Sequence, residues 1–315
     1  MAIITSLLIK LLILTGPVDS ATQDLIKVID EISDRPTEIA IENKLDIESS
    51  GGHLQGIQLY ENAGKDYFFW SGSSSKYGYL AVADQKEVRR LHKLEYKPLK
   101  HAGGFQISDS WLAVGVEDNE ARNTSRIHIY KLEKPFAKSL NLMGIIERTG
   151  EWERATAGAV AIYEADDSIL ILVGDWSNRH IDFYRGDKIN PGGLMEFKKT
   201  GELEMETCSK DGWIDPTPWP YQNINLIDFQ GKLFLFGFSA GPKDENLMDI
   251  YSLDNYYAPV PDLKKVYTRS FEKTTKTQFI WGAGITLSEE NSATILVCGR
   301  NITNQTVVTE YSSKK

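Results

Sequence analysis

Phe68-Phe69-Trp70-Ser71-Gly72 is the first of five short segments in which apolar or aromatic residues run directly into a glycine. Continuous apolar runs of this length are typical of strands that are buried on both faces. The repetition predicts five copies of one structural unit. The other four copies are Trp111-Leu112-Ala113-Val114-Gly115, Ile171-Leu172-Val173-Gly174, Phe234-Leu235-Phe236-Gly237 and Ile295-Leu296-Val297-Cys298-Gly299.

Each apolar run lies between two further predicted strands. The preceding strand is rich in small residues, as in 101–107, which suits strands crowded around a central axis. The following strand alternates and in four of the five units ends on tyrosine, as in 127–130. A fourth strand completes the unit, for example 87–94 or 263–268. Four antiparallel strands repeated radially make the blades of a β-propeller, so the sequence predicts an all-β fold of five such blades.

The fifth unit lacks a fourth strand, because the sequence stops soon after its tyrosine, Tyr311. Residues 37–45 alternate like a strand, and Lys44-Leu45-Asp46 leads into His53 much as Lys93-Leu94-Glu95 leads into His101. We therefore predict that an N-terminal strand completes the last blade. Such closure would leave no unpaired sheet edge.

The pattern divides the chain into residues 1–20 as a signal peptide, 21–36 as an N-terminal helix and linker, and 37–315 as the propeller. Residues 1–20 are largely apolar, and Val18 and Ser20 would stand at −3 and −1 of a cut before Ala21. With Lys10 at its middle, this run is too short to span a bilayer. We expect a secreted or periplasmic, extracytoplasmic protein with no integral membrane span after cleavage.

The composition limits the partners that the protein can have. Hydrophobic residues make up 41% of the chain, which is enough for a folded core, and the net charge of −9 disfavours nucleic acid. Cys208 and Cys298 are either two separate small hydrophobic residues or one disulfide, and two cysteines do not make a zinc site.

Over about residues 37–312 the chain resembles five-bladed β-propellers, a group that includes secreted glycosidases, nucleotide hydrolases and a lectin of the tachylectin type. The resemblance is one of architecture and is nearest to uncharacterised secreted propeller proteins, without a close named family. It implies that the starts of the inner strands and the loops from second to third strands meet at one channel mouth. The candidate ligand-binding residues at these places are His53, His101, Arg154, Glu117, Asp175, Trp176, Arg179 and Arg300.

Each of these candidates has a functional and a purely structural interpretation. His53 and His101 occupy equivalent positions, where they would bind an anion or metal, move a proton, or hydrogen-bond a neighbouring loop. Two histidines without a third ligand make a poor metal site, so no metal is predicted, and the cofactor is left unknown. The arginines would bind a carboxylate or sulfate, or pair with nearby acids. Asp175 and Trp176 would contact a sugar ring, or Trp176 would pack between blades.

Two functions follow from this face. The first is a non-catalytic binding module for a glycan, a small molecule or an extracellular protein. The alternative is a secreted hydrolase acting on a carbohydrate or an acidic small molecule, with Glu117 and Asp175 as facing carboxylates. The five-bladed glycosidases present a carboxylate where this chain has His53, which disfavours the hydrolase. No nucleophile elbow, phosphate loop or dinucleotide motif occurs, and no catalytic residue is assigned.

Overall fold

The computed structural model describes residues 19–48, 50–188, 193–217, 220–241, 245–288 and 290–313. Apart from Asp19 and Ser20, the predicted signal peptide lies outside these residues. Within them the protein is all-β, with one α-helix, α1 (Ser20–Asp30), and short 3₁₀ turns at Trp176–Asn178 and Phe279–Trp281. None of the helices in the described ranges is both long and apolar enough to cross a membrane.

The strands fall into four roles that recur along the chain. The inner strands are β2 (Leu54–Asn62), β6 (His101–Ser108), β10 (Ala159–Glu164), β14 (Asn223–Phe229) and β18 (Ala283–Leu287). The second strands are β3 (Lys65–Ser73), β7 (Trp111–Glu117), β11 (Ser168–Gly174), β15 (Lys232–Ala240) and β19 (Ala293–Cys298). The third are β4 (Tyr77–Ala83), β8 (Thr124–Lys131), β12 (His180–Asp187), β16 (Asn246–Asp254) and β20 (Gln305–Ser312). The outer strands are β5 (Glu87–Tyr96), β9 (Asn141–Thr149), β13 (Phe197–Glu204), β17 (Asp262–Phe271) and β1 (Thr37–Asn43).

The five apolar runs lie in the second strands, as predicted. In β3, Phe68 and Trp70 belong to one buried cluster while Phe69, on the opposite face, belongs to the next. Successive side chains of a strand point to opposite faces, and here each face packs against a different neighbouring run of strands. This is why an uninterrupted apolar run is required at these strands.

The strands form two eight-stranded sheets and one four-stranded sheet. In each eight-stranded sheet, two antiparallel runs of four strands meet at a short parallel contact, between β1 and β5 in one and between β6 and β10 in the other. The inner strands touch in a closed circuit, from β2 through β6, β10, β14 and β18 back to β2. This radial arrangement is that of a β-propeller.

The predicted partner of the last strand is confirmed. β1 pairs antiparallel with β20, in a register that runs from Thr37 opposite Glu310 to Glu42 opposite Gln305. Because β20 also pairs with β19, β1 is the fourth strand of that run. Two segments that are far apart in the sequence, 37–43 and 305–312, thus share one sheet.

Amide side chains fill the axis between the inner strands. Gln106 Oε1 accepts hydrogen bonds from the Ile162 and Leu226 backbone N–H groups at 2.9 and 2.8 Å, and Asn225 Oδ1 accepts from that of Ile285 at 3.0 Å. The strands approach so closely that a Cβ atom on Gly104 would lie 2.4 Å from the Asn223 amide. The small residues of the inner strands are therefore required by crowding at the axis.

The two cysteines are separate, free thiols. Cys298 is fully buried, which raises the pKa of its thiol, and its Sγ donates to the Trp281 carbonyl oxygen at 3.1 Å. Cys208 is half-buried near another cluster. The structure thus agrees with the interpretation in which Cys208 and Cys298 are separate residues and form no disulfide.

The N-terminal helix packs against the fourth and fifth runs of strands. Asp19 caps it by accepting from the Thr22 N–H at 2.9 Å, and Leu25 and Ile29 are fully buried in a cluster with residues of β15, β17 and β20. The helix ends at Asp30 because Ile32 forms a β-bridge with Ser313. The cut predicted before Ala21 would fall within its first turn.

Replacing Arg269 with alanine should lower the free energy of unfolding by about 2 kcal/mol, because its guanidinium hydrogen-bonds the Ile29 and Ile32 carbonyl oxygens at the end of α1. Chemical denaturation would measure the change. Arg185→Ala is the matched control, since Arg185 makes surface contacts, with exposed Asp167 and Asp187 and with the Tyr257 ring, and should contribute about 1 kcal/mol or less. Equal losses in both variants would contradict the role given to Arg269.

Candidate functional site

A cavity of about 420 Å³ opens at the face where the inner strands begin. Four of the eight predicted site residues line it, and they come from three neighbouring runs of strands: His53, His101, Glu117 and Trp176. Half of the predicted ligand-binding residues therefore lie together at this cavity.

Gln55 joins the two histidines. Its amide nitrogen lies 3.2 Å from His53 Nε2 and 2.7 Å from His101 Nε2. An amide nitrogen carries two hydrogens, so both imidazoles accept through Nε2 and carry their protons on Nδ1. The Nδ1 proton of His53 is donated to the Leu54 carbonyl oxygen at 2.9 Å, and Gln222 donates to Gln55 Oε1. The lone pairs that a metal would need are thus already occupied.

The protonation of His53 is disfavoured by its surroundings. Burial lowers the pKa of His53 below its ordinary value of 6.5, and the charges of His101 and Arg300 act in the same direction. The hydrogen bond to Leu54 opposes these effects without cancelling them. His53 is therefore neutral at neutral pH.

Glu117 forms the next link of this chain of polar groups. Its side chain is almost completely buried, with Oε1 3.2 Å from His101 Nδ1 and Oε2 accepting from the Ala157 N–H at 2.7 Å. The carboxylate is thereby fixed in the cavity wall between two runs of strands.

Aromatic side chains form the remaining wall. Trp176, Trp281 and Tyr221 all line the cavity, and the ring centroid of Trp281 lies 5.4 Å from that of His53. Arg300 is exposed and places its guanidinium 5.1 Å from the Trp281 ring centroid. Flat apolar faces thus stand beside the polar chain of His53, Gln55 and His101.

Three polar atoms of the lining are buried without a hydrogen-bond partner among the described residues: Ser239 Oγ, Asn119 Oδ1 and His101 Nδ1. Of these, only His101 Nδ1 faces a charged group, the Glu117 carboxylate. Ser239 is only 1% exposed. Buried polar atoms are nearly always hydrogen-bonded, so the unpaired ones in this cavity wall are free to bond water or a bound molecule.

Arg154 lies elsewhere than the sequence predicts. It sits in the turn that precedes β10 and not at the start of that strand. Its guanidinium hydrogen-bonds both oxygens of Asp182, at 2.7 and 2.6 Å, and Arg148 and Lys199 contact the same carboxylate. The buried charge of Asp182 draws Arg154 away from the mouth, and pairing with Asp182 raises the pKa of Arg154.

Asp175 and Arg179 are also engaged in other contacts. Asp175 is fully buried, and its two oxygens bind the backbone N–H and the Nδ1 of His180 at 2.9 and 2.7 Å. Burial raises the pKa of Asp175. Arg179 pairs with Glu153 at 2.8 Å. The structure does not bring Asp175 to the cavity as a partner for Glu117, although Trp176, the next residue, does line it.

Several residues that line the cavity were not predicted from the sequence. Gln55 follows His53 by two residues and so lies on the same side of an extended chain, a period-2 signal that would have found it. Gln222 directly precedes one inner strand and Trp281 lies two residues before another, at positions where the predicted site residues are charged residues or histidines. Ser239 ends a second strand and carries no local signal of function.

No family model matches the chain, and no curated protein matches it. Among solved structures, the chain is similar to an exo-β-1,3-galactanase from Phanerochaete chrysosporium, with a TM-score of 0.44 and 10% identity over 84% of this chain and 60% of that one. It is also similar to an α-L-arabinofuranosidase from Lactobacillus brevis, with a TM-score of 0.42 and 13% identity over 82% of this chain and 90% of that one.

A third similar structure is the catalytic domain of a GH62 α-L-arabinofuranosidase from Coprinopsis cinerea, with a TM-score of 0.46 and 10% identity over 87% of this chain and 96% of that one. All three are named as glycoside-hydrolysing enzymes, and the likeness of this chain to each of them is one of fold alone.

Proposed function

We propose that the protein is a five-bladed β-propeller that binds a carbohydrate in the mouth cavity. Support for five blades comes from the closed circuit of five inner strands, each followed by antiparallel partners. One observation supports a carbohydrate ligand above all: the same cavity is lined by aromatic side chains and by buried polar atoms that have no hydrogen-bond partner among the described residues. Secretion, with residues 1–20 as signal peptide and 37–315 as the propeller, is part of the proposal.

The chemistry of the wall favours a sugar over other small molecules. A sugar hydroxyl both donates and accepts hydrogen bonds, which matches the Ser239 hydroxyl and the Asn119 carbonyl oxygen. The C–H faces of a sugar ring are apolar and pack on indole rings such as those of Trp176 and Trp281. A few placed polar groups in a largely apolar or aromatic wall are typical of a small-molecule site.

Glycoside hydrolysis is the second candidate, and the buried Glu117 carboxylate at the cavity wall favours it. The two-carboxylate mechanism requires a second acid facing the first. Among the described lining residues, Glu117 is the only carboxylate. Release of reducing sugar from a polysaccharide panel, lost in Glu117→Gln, would establish hydrolysis; binding without release in the wild type would exclude it for that panel.

Trp281→Ala and Ser239→Ala should each weaken saccharide binding roughly tenfold, because one removes a stacking face and the other a hydrogen-bonding hydroxyl. Binding would be measured on an array of immobilised oligosaccharides and then by calorimetry with the saccharides that bind. Tyr256→Ala is the control, since Tyr256 lies in the loop from β16 to β17 at the opposite end of the strands. Binding that survives in both cavity variants would place the ligand elsewhere.

A further inference from the structure

Trp152 places an indole on the rim of the cavity face in an exposed position. Its exposure is 63%, the highest of any described tryptophan. A single exposed apolar side chain is common on protein surfaces, so Trp152 is of interest because of its position beside the cavity and the contacts that hold it there.

This indole is held in place by a stack of side chains. The guanidinium of Arg122 lies 3.8 Å from the ring centroid of Trp176 and 5.7 Å from that of Trp152. Arg122 is itself fixed by Glu153 Oε1 at 2.6 Å, and the other oxygen of Glu153 binds Arg179 at 2.8 Å. Because Trp176 lines the cavity, the stack connects Trp152 directly to the cavity wall.

The backbone beneath the stack is unusual. Arg122, Glu153, Ser177 and Asn178 have positive φ angles of 54°, 61°, 64° and 52°. Such conformations cost free energy in residues other than glycine and concentrate where the surrounding structure holds a functional geometry. The Glu153 N–H donates to the Arg122 carbonyl oxygen at 2.6 Å, which ties two of these loops together.

We propose that Trp152 forms a second stacking site for the same ligand, which is therefore an oligosaccharide that extends from the cavity across this rim. The inference rests on the proposed function and goes beyond it by defining the length of the ligand. A preorganised indole contributes affinity without the cost of ordering a mobile side chain. A monosaccharide in the cavity would leave Trp152 unused.

The test compares trisaccharides with their monosaccharides, using gluco-, galacto-, xylo- and mannosaccharides as probes in calorimetry. Trp152→Ala should weaken trisaccharide binding roughly tenfold and leave monosaccharide binding unchanged. Trp152→Phe should recover part of the loss. Tryptophan fluorescence should respond to the trisaccharide in the wild type, and this response should shrink in Trp152→Phe. Tyr256→Ala again serves as the control.

The outcomes separate the two proposals. If the wild type binds saccharides and Trp152→Ala binds trisaccharides as the control does, the second stacking site is wrong and the cavity proposal stands. Equal losses for monosaccharide and trisaccharide would also overturn the second site, because Trp152 would then act on the cavity itself. A wild-type protein that binds no saccharide overturns both.

Discussion

Replacing Asp249 with alanine is expected to lower the free energy of unfolding by about 3 kcal/mol, because it leaves the buried charge of Lys265 with only a more distant and partly exposed carboxylate, that of Asp215 at 3.6 Å. Both residues are 0% exposed, and Lys265 Nζ lies 3.0 Å from Asp249 Oδ2. The ammonium also donates to the Thr217 carbonyl oxygen at 2.5 Å, which does not neutralise it. Urea denaturation with a two-state analysis would measure the loss.

The double variant Asp249→Leu, Lys265→Met separates the ion pair from the other contacts of Asp249. Removing both charges should restore much of the stability, since buried pairs are often replaceable by apolar residues of similar volume. Asp249 also accepts from the Tyr221 hydroxyl at 2.5 Å and from Thr268 at 2.6 Å. If the double variant is no more stable than Asp249→Ala, these hydrogen bonds and not the ion pair account for the effect.

The same network concerns the cavity, because Tyr221 is one of its walls. Burial raises the pKa of Tyr221 well above its usual range, so the hydroxyl keeps its proton and donates to Asp249. A ligand that packs on the Tyr221 ring thus meets a wall fixed from behind by a buried ion pair. Asp249→Ala should consequently weaken saccharide binding as well as stability.

Lowering the pH from about 6.5 to about 5 should destabilise the protein by about 2 kcal/mol through His92 alone. Burial, with a smaller effect of the Arg90 charge, lowers the pKa of His92 from 6.5 to about 4. In this pH range His92 is protonated in the unfolded chain but remains neutral in the folded protein. At a pH above the pKa that His92 has in the unfolded chain, His92 does not lower the stability. As the pH falls from that value toward the pKa of His92 in the folded protein, the free energy of unfolding decreases.

His53 and His128 should also lower the stability as the pH falls, because burial lowers the pKa of both histidines. The denaturation midpoint should be followed between pH 7.5 and 5, above the range in which most carboxylates titrate. His92→Leu should flatten the slope. Identical slopes in the wild type and in His92→Leu would show that His92 is not responsible.

The sequence predicts the strands well because each signal is local. An apolar run such as 68–72 requires burial on both faces wherever it lies, and residues 37–45 alternate strongly enough to predict β1. The candidate site is harder to predict from the sequence, because residues that form ion pairs there are distant from one another in the chain. Nothing near Arg154 indicates that Asp182 will be buried with three cations around it. Asp175 is likewise withdrawn from the cavity by His180, a histidine to which the pattern gave no role.

His53 and His101 illustrate a middle case. Their equivalent positions predict a shared role, and the structure places them on either side of one amide. The residue between them, Gln55, was not predicted, although its period-2 spacing from His53 places it on the same side of the extended chain. Pairwise chemistry across neighbouring strands becomes visible only when the register is known.

The pairing of β1 with β20 also bears on how the chain is made. A growing chain can assemble the sheets of β6 to β17 one after another, because each of them uses neighbouring segments only. The sheet that contains Thr37 and Glu310 is different, because most of the propeller is synthesised between its strand β1 and the partner strand β20. Until β20 is made, one edge of β1 has no partner, so the period in which misassociation can occur spans the synthesis of the intervening strands.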